Sequence, residues 1–216
     1  FYNPLAIAAS SNGYVYVTDS YNSTIRTIDI TNSNYAVTTI AGLAQNVGSA
    51  DSSIGTNALF NIPSGISILG SNIYIADSGN DTIRCMSMNN PYPVTTIAGS
   101  AGIASNINAK GINARFNYPV AITNDGENLY ITDSYNDTIR LISLISGQVS
   151  TYAGVSGTQG YLDGYGSNAL FNTPSGILYL KGSVYVSDTV NSIIRKVDVI
   201  YLNLPNTITL YLSLIH

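Results

Sequence analysis

The chain has 216 residues, of which 9% are charged and 45% hydrophobic, with a formal net charge of −4. So few charges exclude a coiled coil, which needs Glu, Lys and Arg along its helices, and an electrostatic grip on nucleic acid, which needs clustered Lys and Arg. No apolar run reaches the ~18 residues of a membrane span, and the single Cys85 cannot form an internal disulfide.

The first element is Phe1-Tyr2-Asn3-Pro4, followed by a small-residue strand, LAIAA (5–9). Asn12-Gly13 then marks a tight hairpin, because both residues tolerate positive φ. YVYVTD (14–19) alternates with period two and reads as a strand with Val15 and Val17 on one face and Tyr16 on the other. A turn around Asn22 leads into a third strand carrying Ile25-Arg26 and TIDI, and TTIAG (38–42) forms a fourth. The same order returns three times. Phe-x-x-Pro recurs at 60–63, 116–119 and 171–174, and the strand-ending Asp19 recurs as Asp77, Asp133 and Asp188, which stand 58, 56 and 55 residues apart. Hairpin signals recur at Gly70-Ser71, Asp125-Gly126 and Lys181-Gly182. Arg26 recurs as Arg84, Arg140 and Arg195, and the Thr-Thr-Ile-Ala-Gly strand recurs at 95–99 and, as STYAG, at 150–154.

Four-stranded units with Gly and Asn turns and no helical periodicity mean an all-β chain. A fixed repeat of this kind is expected to be a blade of a β-propeller. Tyr16, Tyr74, Tyr130 and Tyr185 line one face of the second strands and aliphatic residues the other, as a blade packed between neighbours requires. The units run over about 1–42, 60–99, 116–154 and 171–212. Residues 200–216 depart from the pattern. They form either the last outer strand, over Asn206 to Leu212, or a tail foreign to the repeat. The chain begins and ends abruptly inside the repeat, so it is expected to be a fragment of a longer protein.

These motifs together resemble NHL repeats, in the subgroup with long Gly-rich loops between blades. GTQGYLDGYGSNALF (157–171) carries the loop signature in full, and the loops 42–60 and 99–116 keep its Asn-Ala-x-Phe end. The resemblance covers residues 1–199. It implies a propeller that closes with six blades, sometimes five, of which this chain holds four as an open arc; a closed four-bladed ring is the alternative. Exposed apolar faces on the end blades are then expected to favour self-association.

The recurring polar residues read as structural. Asp19, Asp77, Asp133 and Asp188 are expected to cap the following turn through its N–H groups. Arg26, Arg84, Arg140 and Arg195 share an apolar face and must pair, with an Asp of their own or an adjacent blade held bidentately. Asn22, Asn80, Asn136 and Asn191 suit a left-handed turn position; the first three also stand in N-glycosylation sequons. Cys85 is expected to be a small buried hydrophobe. His216 is the one His, so an imidazole-held zinc site and a Ser-His-Asp arrangement are excluded for this segment. No metal or cofactor is expected.

Function is expected to reside in the loops 43–59, 100–115 and 155–170, which differ among units while the strands stay alike. The candidate binding residues there are Asp51, Asn106, Lys110, Tyr161, Asp163 and Tyr165. The resemblance implies a non-catalytic scaffold for a protein or glycan partner. Two alternatives stand beside it. One is a metal-dependent hydrolase or lyase with a central-channel site, for which Asn124 and Asp125 are the candidates near a strand end. The other is an RNA-binding module, which the acidic composition opposes. The Asn/Ser/Tyr-rich surface points to a secreted or cell-surface setting.

Overall fold

The computed structural model describes the backbone of residues 1–204 and 207–215 and the side chains of residues 1–198. Among the described residues, sixteen strands form four separate four-stranded antiparallel sheets, each a simple meander. The first blade is β1 (Pro4–Ala9), β2 (Tyr14–Asp19), β3 (Thr24–Asp29) and β4 (Val37–Ala41). The second is β5 (Pro63–Leu69), β6 (Asn72–Asp77), β7 (Thr82–Ser87) and β8 (Val94–Gly99). The third is β9 (Pro119–Asn124), β10 (Asn128–Asp133), β11 (Thr138–Ser143) and β12 (Val149–Ala153). The fourth is β13 (Pro174–Leu180), β14 (Ser183–Asp188), β15 (Ile193–Leu204) and β16 (Thr207–Ile215). The strand that follows Asn206 pairs with β15 from Lys196↔Ile215 to Leu204↔Thr207. Asn206 and His216 lie outside the described residues.

The inner strands pack in sequence, β1 on β5, β5 on β9 and β9 on β13, so the blades turn about a common centre as in a β-propeller. The core lies between blades. Ile25, Phe60 and Ile75 fill the first interface, Phe116, Leu129 and Ile131 the second, and Phe171, Val184 and Val186 the third. Phe60, Phe116 and Phe171 of the Phe-x-x-Pro elements are fully buried, a contribution of roughly 1.5–3 kcal/mol each, whereas Phe1, which has no preceding blade to cover it, is 56% exposed. Tyr130 stacks on Tyr179 of the next blade at 6.0 Å and meets Tyr152 edge-on at 4.9 Å. Cys85 is only half-buried, opposite Tyr74 on the neighbouring strand, and burial pushes its thiol up to about 11.

The hydroxyl that follows the recurring Asp ties one blade to the next. Ser20 Oγ donates to Pro63 O at 2.6 Å, Ser134 Oγ donates to Pro174 O at 2.5 Å, and Ser78 makes the same bond to Pro119. The left-handed turn residue is not the recurring Asn but the residue after it: Ser23, Asp81, Asp137 and Ser192 have φ of 55° to 58°. Asp81 and Asp137 use that position to reach the next blade, where their carboxylates accept from Tyr118 N and Thr173 N at 2.8 Å.

Candidate binding surfaces

The recurring Asp, Asn and Arg form one buried knot per blade. In the second blade Asp77 Oδ1 accepts from Asn61 N at 2.8 Å, and Oδ2 accepts from Asn80 Nδ2 and Arg84 Nη1, each at 2.8 Å. The third blade repeats this with Asp133, Asn117, Asn136 and Arg140 at 2.7–2.8 Å. Asp188 and Arg195 pair at 3.1 Å, and Asp19 and Arg26 at 3.2 Å. The expected turn cap is therefore not made. The carboxylate reaches back instead to the residue after the Phe, because burial there demands donors from several directions at once.

The arginines are not held bidentately. Arg84 Nη1 donates to Asp77 and to Leu59 O, and its Nη2 donates to Ala50 O and to Asp51 Oδ1 at 2.7 Å. Arg140 matches it, with Ile107 O and Asn108 Oδ1 in the loop positions. Arg195 takes Leu162 O and Asp163. The guanidinium planes also lie over the recurring Phe rings, with 5.0 Å to Phe60 and to Phe116 and 5.1 Å to Phe171. Arg84, Arg140 and Arg195 thus each fasten the incoming loop onto their own blade.

That geometry separates the sequence-predicted binding residues. Asp51 and Asp163 are loop anchors for Arg84 and Arg195, and Asp51 also accepts from Thr96 N and Oγ1. They are engaged in the fold rather than offered to a ligand. Asn106 is half-buried, and Lys110 is exposed. Tyr161 and Tyr165 are 70% and 60% exposed, with Tyr161 standing 6.0 Å from the Arg195 guanidinium. Only Tyr161 and Asp163 meet, at Arg195; Tyr165 shares their loop, Asn106 and Lys110 lie in the loop 100–115, and Asp51 lies in the loop 43–59. Asn124 Nδ2 bonds Ser67 Oγ and Ile68 O of the second blade. Asp125 accepts from Glu127 N, Asn128 N, Asn128 Nδ2 and Tyr130 Oη. Burial pushes its carboxyl up, but these donors together outweigh that and hold it below its ordinary value. Both Nδ2 hydrogens of Asn80 and of Asn136 are donated within the protein, to Gly48 O and Asp77 and to Ser105 O and Asp133. These two sequons are therefore closed in the folded chain.

The turns between second and third strands share one face with the inter-blade loops, and that face carries a tyrosine cluster. Tyr2 and Tyr21 meet edge-on at 5.2 Å, and Tyr118 and Tyr135 stack at 4.7 Å. Burial raises the Tyr118 phenol, and nearby Tyr135 and Tyr21 add to the shift, so the two pairs are neighbours. The second blade lies between them, with Gly79 at the position of Tyr21 and Tyr135, Ile62 at that of Tyr118 and Asn61 at that of Tyr2. Tyr2, Tyr21 and Tyr135 are 60%, 51% and 61% exposed. Residue-by-residue comparison of the units carries a signal for them: Tyr21 and Tyr135 align with Gly79 and Val190.

Residues 1–28 match the family model described as NHL repeat. The chain is similar to the protein SUPPRESSOR OF QUENCHING 1, chloroplastic, of Arabidopsis thaliana, 32% identical over 148 residues, which cover 63% of this chain and 14% of that protein. It is also similar to the Bos taurus NHL repeat-containing protein 2, 28% identical over 149 residues, covering 63% of this chain and 20% of that one. The chain thus spans at most a fifth of the length of these two relatives. Among solved structures, a structural genomics protein of unknown function from Bacteroides thetaiotaomicron superposes with a TM-score of 0.72 at 25% identity. That match covers 89% of this chain and 46% of the other. With the repeated motif, the blade topology and these relatives in agreement, the chain is a β-propeller that opens on an NHL repeat and is similar to NHL-repeat proteins.

Proposed function

We propose that the chain is a non-catalytic binding scaffold that presents its loop face to a protein or glycan partner, in a secreted or cell-surface setting. One observation carries the reading. The charged side chains of the repeat are committed to the fold, while Tyr2, Tyr21, Tyr135, Tyr161 and Tyr165 stand exposed on the face that the arginines fasten. Tyr supplies large contact area with little conformational entropy to lose and keeps a hydroxyl for hydrogen bonding. Loops fixed at both ends lose less freedom on association than loose ones. The acidic chain lacks the positive field that RNA binding would use.

Retention of the folded chain on immobilised neutral polysaccharides and on glycoproteins tests this, beside the double variant Tyr21→Ala/Tyr135→Ala. Saturable retention by the parent chain, at least about tenfold weaker in the variant at an unchanged melting temperature, is the expected result; tenfold corresponds to ~1.4 kcal/mol. Absence of saturable retention, or equal retention by both proteins, overturns the reading.

A further inference from the structure

A second feature lies at the opposite end of the blades, where the first and second blades part. A cleft of about 500 Å³ is lined by Asn12, Tyr14 and Tyr16 from one side and Met88, Asn90, Pro91 and Tyr92 from the other. Thr27, Thr38, Thr39 and Thr56 complete its wall, and Ile40 and Ile54 its apolar part. Its size falls in the ~300–1,000 Å³ range of small-molecule pockets.

The lining breaks the repeat. Tyr14 opens β2, where the other second strands begin with Asn72, Asn128 and Ser183. Thr27 takes the position held by Cys85, Leu141 and Lys196 in the sister blades. Tyr92 belongs to the turn Asn89-Asn90-Pro91-Tyr92, which has no counterpart in the Ser146-Gly147 turn of the third blade. Scaffold positions keep their residue type from blade to blade, as the Asp, Arg and Phe do. Here Tyr14 and Thr27 depart from the sister blades, and they meet Tyr92, whose position the first blade fills with Tyr35, around one cavity.

The chemistry of the wall is specific. No Lys, Arg, His, Asp or Glu lines it. Tyr16 is buried, its phenol raised by that burial, with Asn12 beside it drawing the value down and Tyr92 and Tyr14 near enough to add to the shift. Three phenol rings therefore stand close together, among threonine hydroxyls and asparagine amides. Aromatic faces cover the C–H faces of a sugar ring, and uncharged hydroxyls and amides match its hydroxyls as both donors and acceptors. A charged ligand would be desolvated here with no countercharge.

We propose that this inter-blade cleft binds a small neutral saccharide, a mono- or disaccharide. The site lies away from the tyrosine cluster, although Ile54 and Thr56 of the 43–59 loop contribute to its wall, and it stands or falls independently of the scaffold reading.

The test is saturation-transfer NMR and calorimetric titration of the full chain with glucose, galactose, mannose, N-acetylglucosamine, maltose, cellobiose and lactose, with glucuronic acid and glucosamine as charged counterparts. Saturable binding of at least one neutral sugar is expected. Tyr14→Ala and the near-isosteric Thr39→Val are each expected to weaken it about tenfold, ~1.4 kcal/mol by the standard conversion, at an unchanged melting temperature. Tyr135→Ala, on the loop face, is expected to leave it intact. The proposal is overturned if no neutral sugar binds saturably, if the charged sugars bind as tightly, or if both cleft variants bind like the parent chain.

Discussion

At the scale of single residues, the most consequential groups are those that the fold hides. Burial pushes the Asp77 and Asp133 carboxyls up to about 6, against the pull of Arg84 and Arg140. An acid whose folded value is raised contributes stability that is complete below its unfolded value, near 3.8, and lost as the pH rises through about 6. Asp133→Asn removes that titration while keeping shape. Denaturant unfolding of both proteins is therefore expected to show the parent's advantage widening by up to about 3 kcal/mol between pH ~7 and pH ~4. A gap that narrows on acidification would mean that the three donors to Asp133 outweigh its desolvation.

At the scale of the element, the Ala-Gly that ends the outer strand of the first three blades shows why the repeat keeps a glycine there. Gly99 has φ +88°, and a Cβ there would sit 2.4 Å from Asp81 O and 3.0 Å from Thr82 Cα. Those atoms belong to the left-handed turn that also holds the next blade, so neither can move alone. Gly99→Ala is expected to cost at least ~2 kcal/mol. Gly70→Ala, at a hairpin of φ +58° with open space around it, is expected to cost about 1 kcal/mol. Thermal unfolding of the pair checks the contrast, and equal losses would refute the steric account.

At the scale of the whole molecule, the interior blades are covered on both sides and the end blades are not. Leu5 and Ile7 of β1 are 51% and 69% exposed, and Leu178 and Leu180 of β13 are 55% and 49% exposed. In the interior, Ile66 and Ile122 of the inner strands are 7% and 5% exposed. Uncovered apolar sheet faces seek partners. Sedimentation velocity over a range of concentrations is expected to show self-association, reduced in Ile7→Lys and in Leu178→Lys. A monomer at all concentrations would show that these faces are too weak to pair.

The repeat itself, its strand boundaries and its blade character were legible in the chain, because a hydrophobic period of two and Gly or Asn turns act locally. Residue types also foretold that Asp and Arg would pair, since a charge on an apolar strand face has no alternative. The partners were not legible. That Asp77 accepts from Asn61 rather than capping its own turn, or that Arg84 divides its donors between Asp77 and Asp51, depends on segments 16 and 33 residues away. The tyrosine cluster and the cleft likewise join Tyr2 to Tyr21 and Tyr14 to Tyr92. Local chemistry writes the strands and turns, but which side chains meet across blades follows from the rotation of one sheet against the next, and no window of sequence contains that rotation.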